Sequence, residues 1–116
     1  MAIAYKRLLS QSIGGKGITI SSITTPGTLI HTAPAGTTPG SYDEVWLWAY
    51  NADTSNTVIS VEWASDGLVR KITVPLQTGL IPIIPGLILQ NGETIRVFAS
   101  AANVIKIDGF INRITD

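Results

Sequence analysis

The sequence lacks cysteine and contains one histidine, His31, in the stretch LIHTA. The absence of cysteine excludes disulfides and thiolate metal sites. A metal site needs several ligands, and no second histidine is present to assist the first. We therefore predict that the chain holds no metal and no cofactor. A lone histidine on an apolar strand is usually structural, and we interpret His31 in that way.

Charge is also scarce, at 14% of residues, against about 25% in an ordinary globular domain. Eight basic residues balance eight acidic ones, so the formal net charge is zero. Nucleic-acid-binding proteins usually carry a basic surplus, and we predict no nucleic-acid partner. The mean hydropathy is +0.31. A small domain this apolar is expected to expose hydrophobic surface as a monomer, and to bury it against copies of itself or another protein.

No uncharged run in the chain is suited to a membrane helix. The one run of sufficient length, residues 72–92, contains Pro75, Pro82 and Pro85, and three prolines would break a spanning helix. No signal peptide is recognised at the start of the sequence. The 116 residues suit one domain, and we predict an N-terminal arm at 1–13 followed by a single domain at 14–116.

Short runs rich in Thr, Ile and Val alternate with clusters of Gly, Pro, Asn and Ser. This pattern predicts about eight short strands in an all-β antiparallel sandwich with a jelly-roll-like arrangement. We expect TVISVEWA (57–64) to pair with the strand at 44–51 as a hairpin across the turn NADTSN. The proline-rich segment 75–92 is expected to be either an edge strand or an apolar loop folded over the core.

The stretch EVWLWAY (44–50) has two apolar faces. Side chains alternate along a strand, so Trp46, Trp48 and Tyr50 share one face, opposite valine, leucine and alanine. One face belongs to the core, and the other must be covered by the apolar loop, a neighbouring subunit or a ligand. We predict that the face with the two tryptophans and the tyrosine is a self-association interface, because Trp and Tyr are enriched in interfaces. A core position and a ligand-binding role remain the alternatives for these three residues.

No catalytic constellation is visible, and we predict that the chain is not an enzyme. Asp43 and Glu44 are neighbours on a strand, so their carboxylates point to opposite faces. The stretch GGKGIT (14–19) does not match a phosphate-binding loop, because the spacing differs and the residue after Lys16 is Gly17. A flexible connector is the simpler interpretation of that stretch.

Three stretches together resemble small all-β virion structural proteins of tailed bacteriophages. The opening MAIAYKRLLSQS resembles their short N-terminal arm, PGLILQNGETIRVFAS (85–100) their turn-and-strand segment, and VIKIDGFINRI (104–114) their last strand. A Pro-Ala-Gly loop at 34–36 precedes an apolar strand, as in those proteins. The chain departs from their pattern at Glu93, where Asp is common, and at residues 110–112, where Gly-x-Glu is usual.

The resemblance implies a capsid cement or decoration protein that forms a homotrimer and bridges copies of the major capsid protein. It implies a place on the capsid surface after synthesis in the host cytoplasm, with no membrane and no catalytic residue. We expect the arm to contact a neighbour through Ile3, Tyr5 and Leu8. The alternative is a tail- or fibre-associated sandwich module that binds a receptor or carbohydrate through its tryptophans.

Overall fold

The computed structural model describes residues 3–36 and 40–115, which form an all-β structure. Its strands are β1 (Ile3–Leu8), β2 (Ile18–Thr19), β3 (Thr28–Thr32), β4 (Ser41–Asn51), β5 (Thr57–Trp63), β6 (Val69–Val74), β7 (Ile81–Leu89), β8 (Thr94–Ala99) and β9 (Ile105–Thr115). The short strand β2 is additional to the approximately eight strands that the sequence predicts.

The strands form two antiparallel sheets in a jelly-roll arrangement. Sheet A has the order β1-β9-β4-β7, with β2 paired to β9, and sheet B has the order β3-β8-β5-β6. Successive strand pairs nest inside one another along the chain: β1 with β9, β3 with β8, β4 with β7, and β5 with β6. These pairs fall alternately in sheet A and sheet B, as in a long hairpin rolled into a sandwich. The predicted fold class is confirmed.

The predicted hairpin between β4 and β5 is wrong. Strand β4 lies in sheet A and β5 in sheet B, so the turn between them crosses from one sheet to the other. The buried Asn51 side chain fixes this crossing: its Nδ2 donates to the carbonyl oxygens of Ser55 and Val74, and its Oδ1 accepts from the Asp53 amide. The same turn residues therefore serve a connection between sheets instead of a hairpin.

The core lies between the two sheets and consists almost entirely of aliphatic side chains. Strand β4 contributes its valine, leucine and alanine, and the predicted inward residues of β9, Ile105 and Ile107, are fully buried. The interleaved polar residues Lys106 and Asp108 lie on the outer face of β9, as the alternation predicts. Trp63 packs against the core while remaining partly exposed.

The proline-rich segment contains the edge strand β7, so the edge-strand alternative is the correct one. It pairs beside β4 and not over the core, and Pro82 and Pro85 lie opposite Trp48 and Trp46. The register shifts twice along this pair, which is consistent with prolines being tolerated only at an edge.

Strand β9 approaches β4 closely at Gly109, which lies opposite Leu47. A Cβ atom built at Gly109 would collide with the backbone carbonyl oxygen of Trp46. Only glycine leaves room for this approach, and the longest strand pair of sheet A depends on it.

Candidate interaction surface

The outer face of sheet A carries the aromatic residues that the sequence singles out. Trp46, Trp48 and Tyr50 are half-buried there, while the opposite face of β4 is wholly in the core. The structure thus determines which face of β4 is core. None of the three aromatic side chains lies in the core.

Phe110 joins these residues from β9, where it pairs directly with Trp46. The Phe110 ring centroid is 6.3 Å from that of Trp46 and 6.0 Å from that of Trp48. The corresponding interplanar angles are 13° and 26°, so each indole ring stacks on the Phe110 ring. Such pairs contribute about 0.5–1.5 kcal/mol each beyond their buried area. We call Trp46, Trp48, Tyr50 and Phe110 the aromatic face.

Hydrogen bonds hold the Trp46 indole in place. Its Nε1 donates to Glu44 Oε1 at 2.7 Å, and Asn112 Nδ2 donates to the same oxygen at 2.9 Å. The bond from Trp46, followed by the one from Asn112, lowers the pKa of Glu44 below 4.5. On the other side the indole lies against Gly86, whose φ of +84° favours glycine and where a Cβ would meet the ring at 2.8 Å. The Trp46 ring is therefore fixed before any partner binds.

Strand β1 borders the aromatic face. Lys6 Nζ lies 5.1 Å from the Phe110 ring centroid, a cation–π contact, and Leu8 pairs with Phe110 across the β1–β9 ladder. An exposed contact of the first kind is worth about 0.5–1 kcal/mol. The border of the aromatic face next to β1 is thus basic and apolar.

Every residue of β1 is exposed, on both faces of the strand. Ile3, Tyr5 and Leu8 retain 57%, 43% and 51% of their accessible surface. Backbone pairing to β9 holds this strand along its length, and its side chains remain exposed on both faces. The side of β1 that faces away from β9 forms an outer edge of sheet A, and the strand contains no proline.

The predicted contact residues of the arm do not all lie together. Leu8 shares the outer face of sheet A with Phe110, whereas Ile3 and Tyr5 pair with Thr115 and Arg113 on the opposite face. Leu8 therefore borders the aromatic face, while Ile3 and Tyr5 belong to a separate exposed surface.

A buried charged cluster lies at the junction of the two sheets. His31 Nε2 is 2.6 Å from Asp43 Oδ2, and Arg113 donates to both oxygens of Asp43 at 2.9 and 3.1 Å. His31 Nδ1 accepts the backbone N–H of Ser10 at 2.9 Å. Burial lowers the pKa of His31 below 6.5, and nearby Arg113 lowers it further, against the opposing effect of Asp43. The structural interpretation of this histidine agrees with its position.

Sheet B carries a shallow cleft of about 430 Å³ beside the β5–β6 turn. Its lining includes Trp63, Phe98 and the carboxylates of Glu62 and Asp66. Glu62 accepts from Thr25 Oγ1 and the Gly27 amide, and Asp66 pairs with Arg70 at 2.6 Å. These carboxylates are occupied by other parts of the chain, and the cleft has no convergent set of free polar groups.

Sequence reasoning did not identify Phe110, Lys6 or Glu44 as parts of this surface. The alternation of Lys106 and Asp108 outward along the last strand, continued past Gly109, places Phe110 on the same face and was the available signal. The Glu44–Trp46 bond needs no long-range information, since residues two apart on a strand share a face.

Neither metal-site nor membrane-helix geometry is present in the described residues. No group of three or more His, Asp or Glu side chains is placed to hold a metal ion there. Across 3–36 and 40–115, no helix is long and apolar enough to cross a membrane.

No protein-family model, curated protein or solved structure matches the chain.

Proposed function

We propose that this chain is a non-enzymatic phage virion protein, a capsid cement that trimerises and bridges neighbouring capsid subunits on the shell surface. The observation that carries the proposal is the aromatic face, whose rings are ordered within one chain and yet remain half-exposed. Rigid aromatic side chains bury a large area at low entropic cost when a second protein covers them.

The rest of the surface supports an assembly role. Apolar side chains are exposed at both edges of sheet A, including Leu8 on β1 and Ile88 on β7. The two edges differ in character, since β1 carries Lys6 and Arg7 and β7 has no charged residue. A contact between unlike edges of neighbouring copies is heterologous, which is the kind of contact that closes into a ring such as a trimer.

The fold is compatible with this role and does not decide it. Jelly rolls occur in viral capsid proteins, lectins and cupins, and fold alone does not define function. The virion assignment comes from the resemblance of the arm, the segment 85–100 and the last strand to small phage virion proteins.

The proposed mechanism is stabilisation by binding. A cement that binds the assembled lattice, and not its separated subunits, shifts the equilibrium toward the intact shell. The arm at residues 1–13 would contribute by adding a strand to a neighbour or by lying in its groove. No step of this mechanism involves bond making or breaking.

Electron microscopy of the particle that carries this chain tests the proposal. The expected result is density for three copies of the sandwich at junctions between capsid subunits on the head. Shells stripped of the protein should lose heat stability and regain it when purified protein is added back. A particle whose head lacks this density contradicts the proposal.

A second candidate is a tail- or fibre-associated module that binds a receptor carbohydrate. The arrangement that favours it is the group of stacked rings beside the carboxylate of Glu44 and the amide of Asn112. Sugars stack on aromatic rings and hydrogen-bond to such groups. Titration of tryptophan fluorescence with soluble glycans tests it, and the Trp46→Ala variant should abolish any saturable change. A spectrum unmoved by millimolar glycan excludes the glycans tested.

A further inference from the structure

The buried cluster at the junction of the sheets has a feature that the proposed function does not use. His31 is 1% exposed and bridges two segments, with one ring nitrogen toward Asp43 on β4 and the other toward Ser10. Ser10 belongs to residues 9–12, which follow β1 of sheet A along the chain and hydrogen-bond to β3 at the edge of sheet B. We call these residues the arm root.

The contacts determine which nitrogen of His31 carries the proton. A backbone N–H can only donate, so Nδ1, which faces the Ser10 amide, must offer its lone pair. Asp43 also receives the guanidinium of Arg113, so its carboxylate acts as an acceptor and Nε2 donates to it. The ring is therefore neutral, with its proton on Nε2.

Protonation of Nδ1 is incompatible with the bond to Ser10. A second ring N–H would point at the Ser10 N–H, and two donors would face each other. The charged groups around the ring are Asp43, which favours the imidazolium, and Arg113, which opposes it. Tyr5 on β1 pairs with Arg113 and interacts with the charge of that residue.

The arm root has few other attachments. Leu9 is buried, the Gln11 amide donates to the Ile30 carbonyl at 3.4 Å, and the Thr32 amide donates to Ser10 Oγ at 3.0 Å. The last two bonds lie along β3 on either side of His31, so the root covers the β3 edge of sheet B. The bond from the Ser10 amide to His31 Nδ1 lies between these two, and its loss weakens all three.

We propose that His31 is a proton-sensitive latch, which holds the arm root against β3 when neutral and releases it when Nδ1 is protonated. Release uncovers the β3 edge, a row of backbone donors and acceptors able to pair with another chain. The latch lies within a single chain and does not depend on the virion assignment.

Nuclear magnetic resonance of the wild-type protein tests the latch, because the only histidine in the chain gives an unambiguous ring signal. At neutral pH the ring nitrogens should show an unprotonated Nδ1. As the ring titrates below pH 6.5, the hydrogen-exchange protection factors of the Ser10, Gln11 and Thr32 amides should fall at least tenfold. Core amides such as Val45 should lose less protection than these three, and only as much as the fall in global stability accounts for.

Two variants separate the latch from other acid effects. His31→Asn supplies an amide oxygen near the Nδ1 position and does not titrate, so the loss of protection should disappear. Ser10→Ala keeps the backbone N–H, so the loss should persist. An Nδ1 protonated at neutral pH, a ring that titrates while the Ser10 amide stays protected, or a loss of core protection equal to that of the Ser10 amide would each overturn the latch.

Discussion

Trp46 and Phe110 face each other across the β4–β9 pair, with ring centroids 6.3 Å apart and planes inclined by 13°. Neither ring belongs to the core, although the backbones that carry them form the centre of sheet A. The domain thus orders a cluster of aromatic side chains on its outer surface without burying it.

Trp48→Ala should weaken self-association at least tenfold, equivalent to about 1.4 kcal/mol, because truncating an aromatic residue at the centre of an interface is costly. Lys106→Ala is the matched control, since Lys106 is exposed on the same face of sheet A and its Nζ donates to Thr19 Oγ1. It should change association by no more than about 0.5 kcal/mol. Sedimentation over a concentration series measures both. Equal behaviour of the two variants would contradict the interface assignment.

The arm prediction is tested by the double variant Tyr5→Ser and Leu8→Ser. Both side chains are exposed in the single chain, so the melting temperature of dilute, dissociated protein should be nearly unchanged. Self-association should nevertheless decrease, because both side chains are expected to contact a neighbour. Val58→Ser, which removes an exposed apolar side chain from sheet B, should leave association intact. A similar loss of self-association in the double variant and in Val58→Ser would indicate non-specific adhesion.

The Glu44–Trp46 bond predicts a pH effect on the aromatic face. The bonds from Trp46 and Asn112 lower the pKa of Glu44 below 4.5. The stabilisation that the ionised Glu44 carboxylate provides is therefore fully present above pH 4.5, and it is lost as the pH falls through the lower pKa of the folded state. The Trp46 indole N–H resonance should shift in that acidic range. Glu44→Gln keeps an acceptor that does not titrate, and should remove the shift. An indole signal that moves equally in the variant would assign the effect to another group.

Gly109→Ala should destabilise the domain by about 3 kcal/mol or more, because the added methyl group collides with β4 backbone that cannot move without breaking the β4–β9 pair. Gly40→Ala is the control, since a Cβ there meets no atom of residues 3–36 or 40–115 within 4 Å and the backbone is not left-handed. Urea denaturation of the two variants measures the difference. Near-equal midpoints would mean that β9 can move away from β4 at little cost.

His31 predicts a second pH effect, on global stability. The folded state holds the ring neutral with a pKa below 6.5, so the unfolded chain binds more protons between that lowered value and 6.5. Stability should therefore be complete above about pH 6.5 and decline as the pH falls through this window. Urea denaturation across the range should show the decline in wild type and a smaller one in His31→Asn. An increase in stability on acidification would have the wrong sign for a buried neutral histidine.

Local alternation in the sequence was sufficient to predict most of the strands and the two faces of β4, although it missed β2 and left 75–92 open between a strand and a loop. It could not predict the sheet to which each strand belongs. NADTSN has the composition of any tight turn, and only the bonds from Asn51 to Ser55 and Val74 direct the chain across the sandwich. The His31–Asp43–Arg113 cluster was equally inaccessible, because its members lie on three strands that the jelly-roll topology brings together.

The oligomeric state of the purified protein tests the central claim most directly. Sedimentation equilibrium at micromolar concentration and neutral pH should give a species of about three times the 12.3 kDa chain mass. Its tryptophan emission should shift toward that of a buried environment as the protein associates. A species that stays monomeric across the concentration range, with emission independent of concentration, would contradict the proposal that the aromatic face is completed by another copy of this chain.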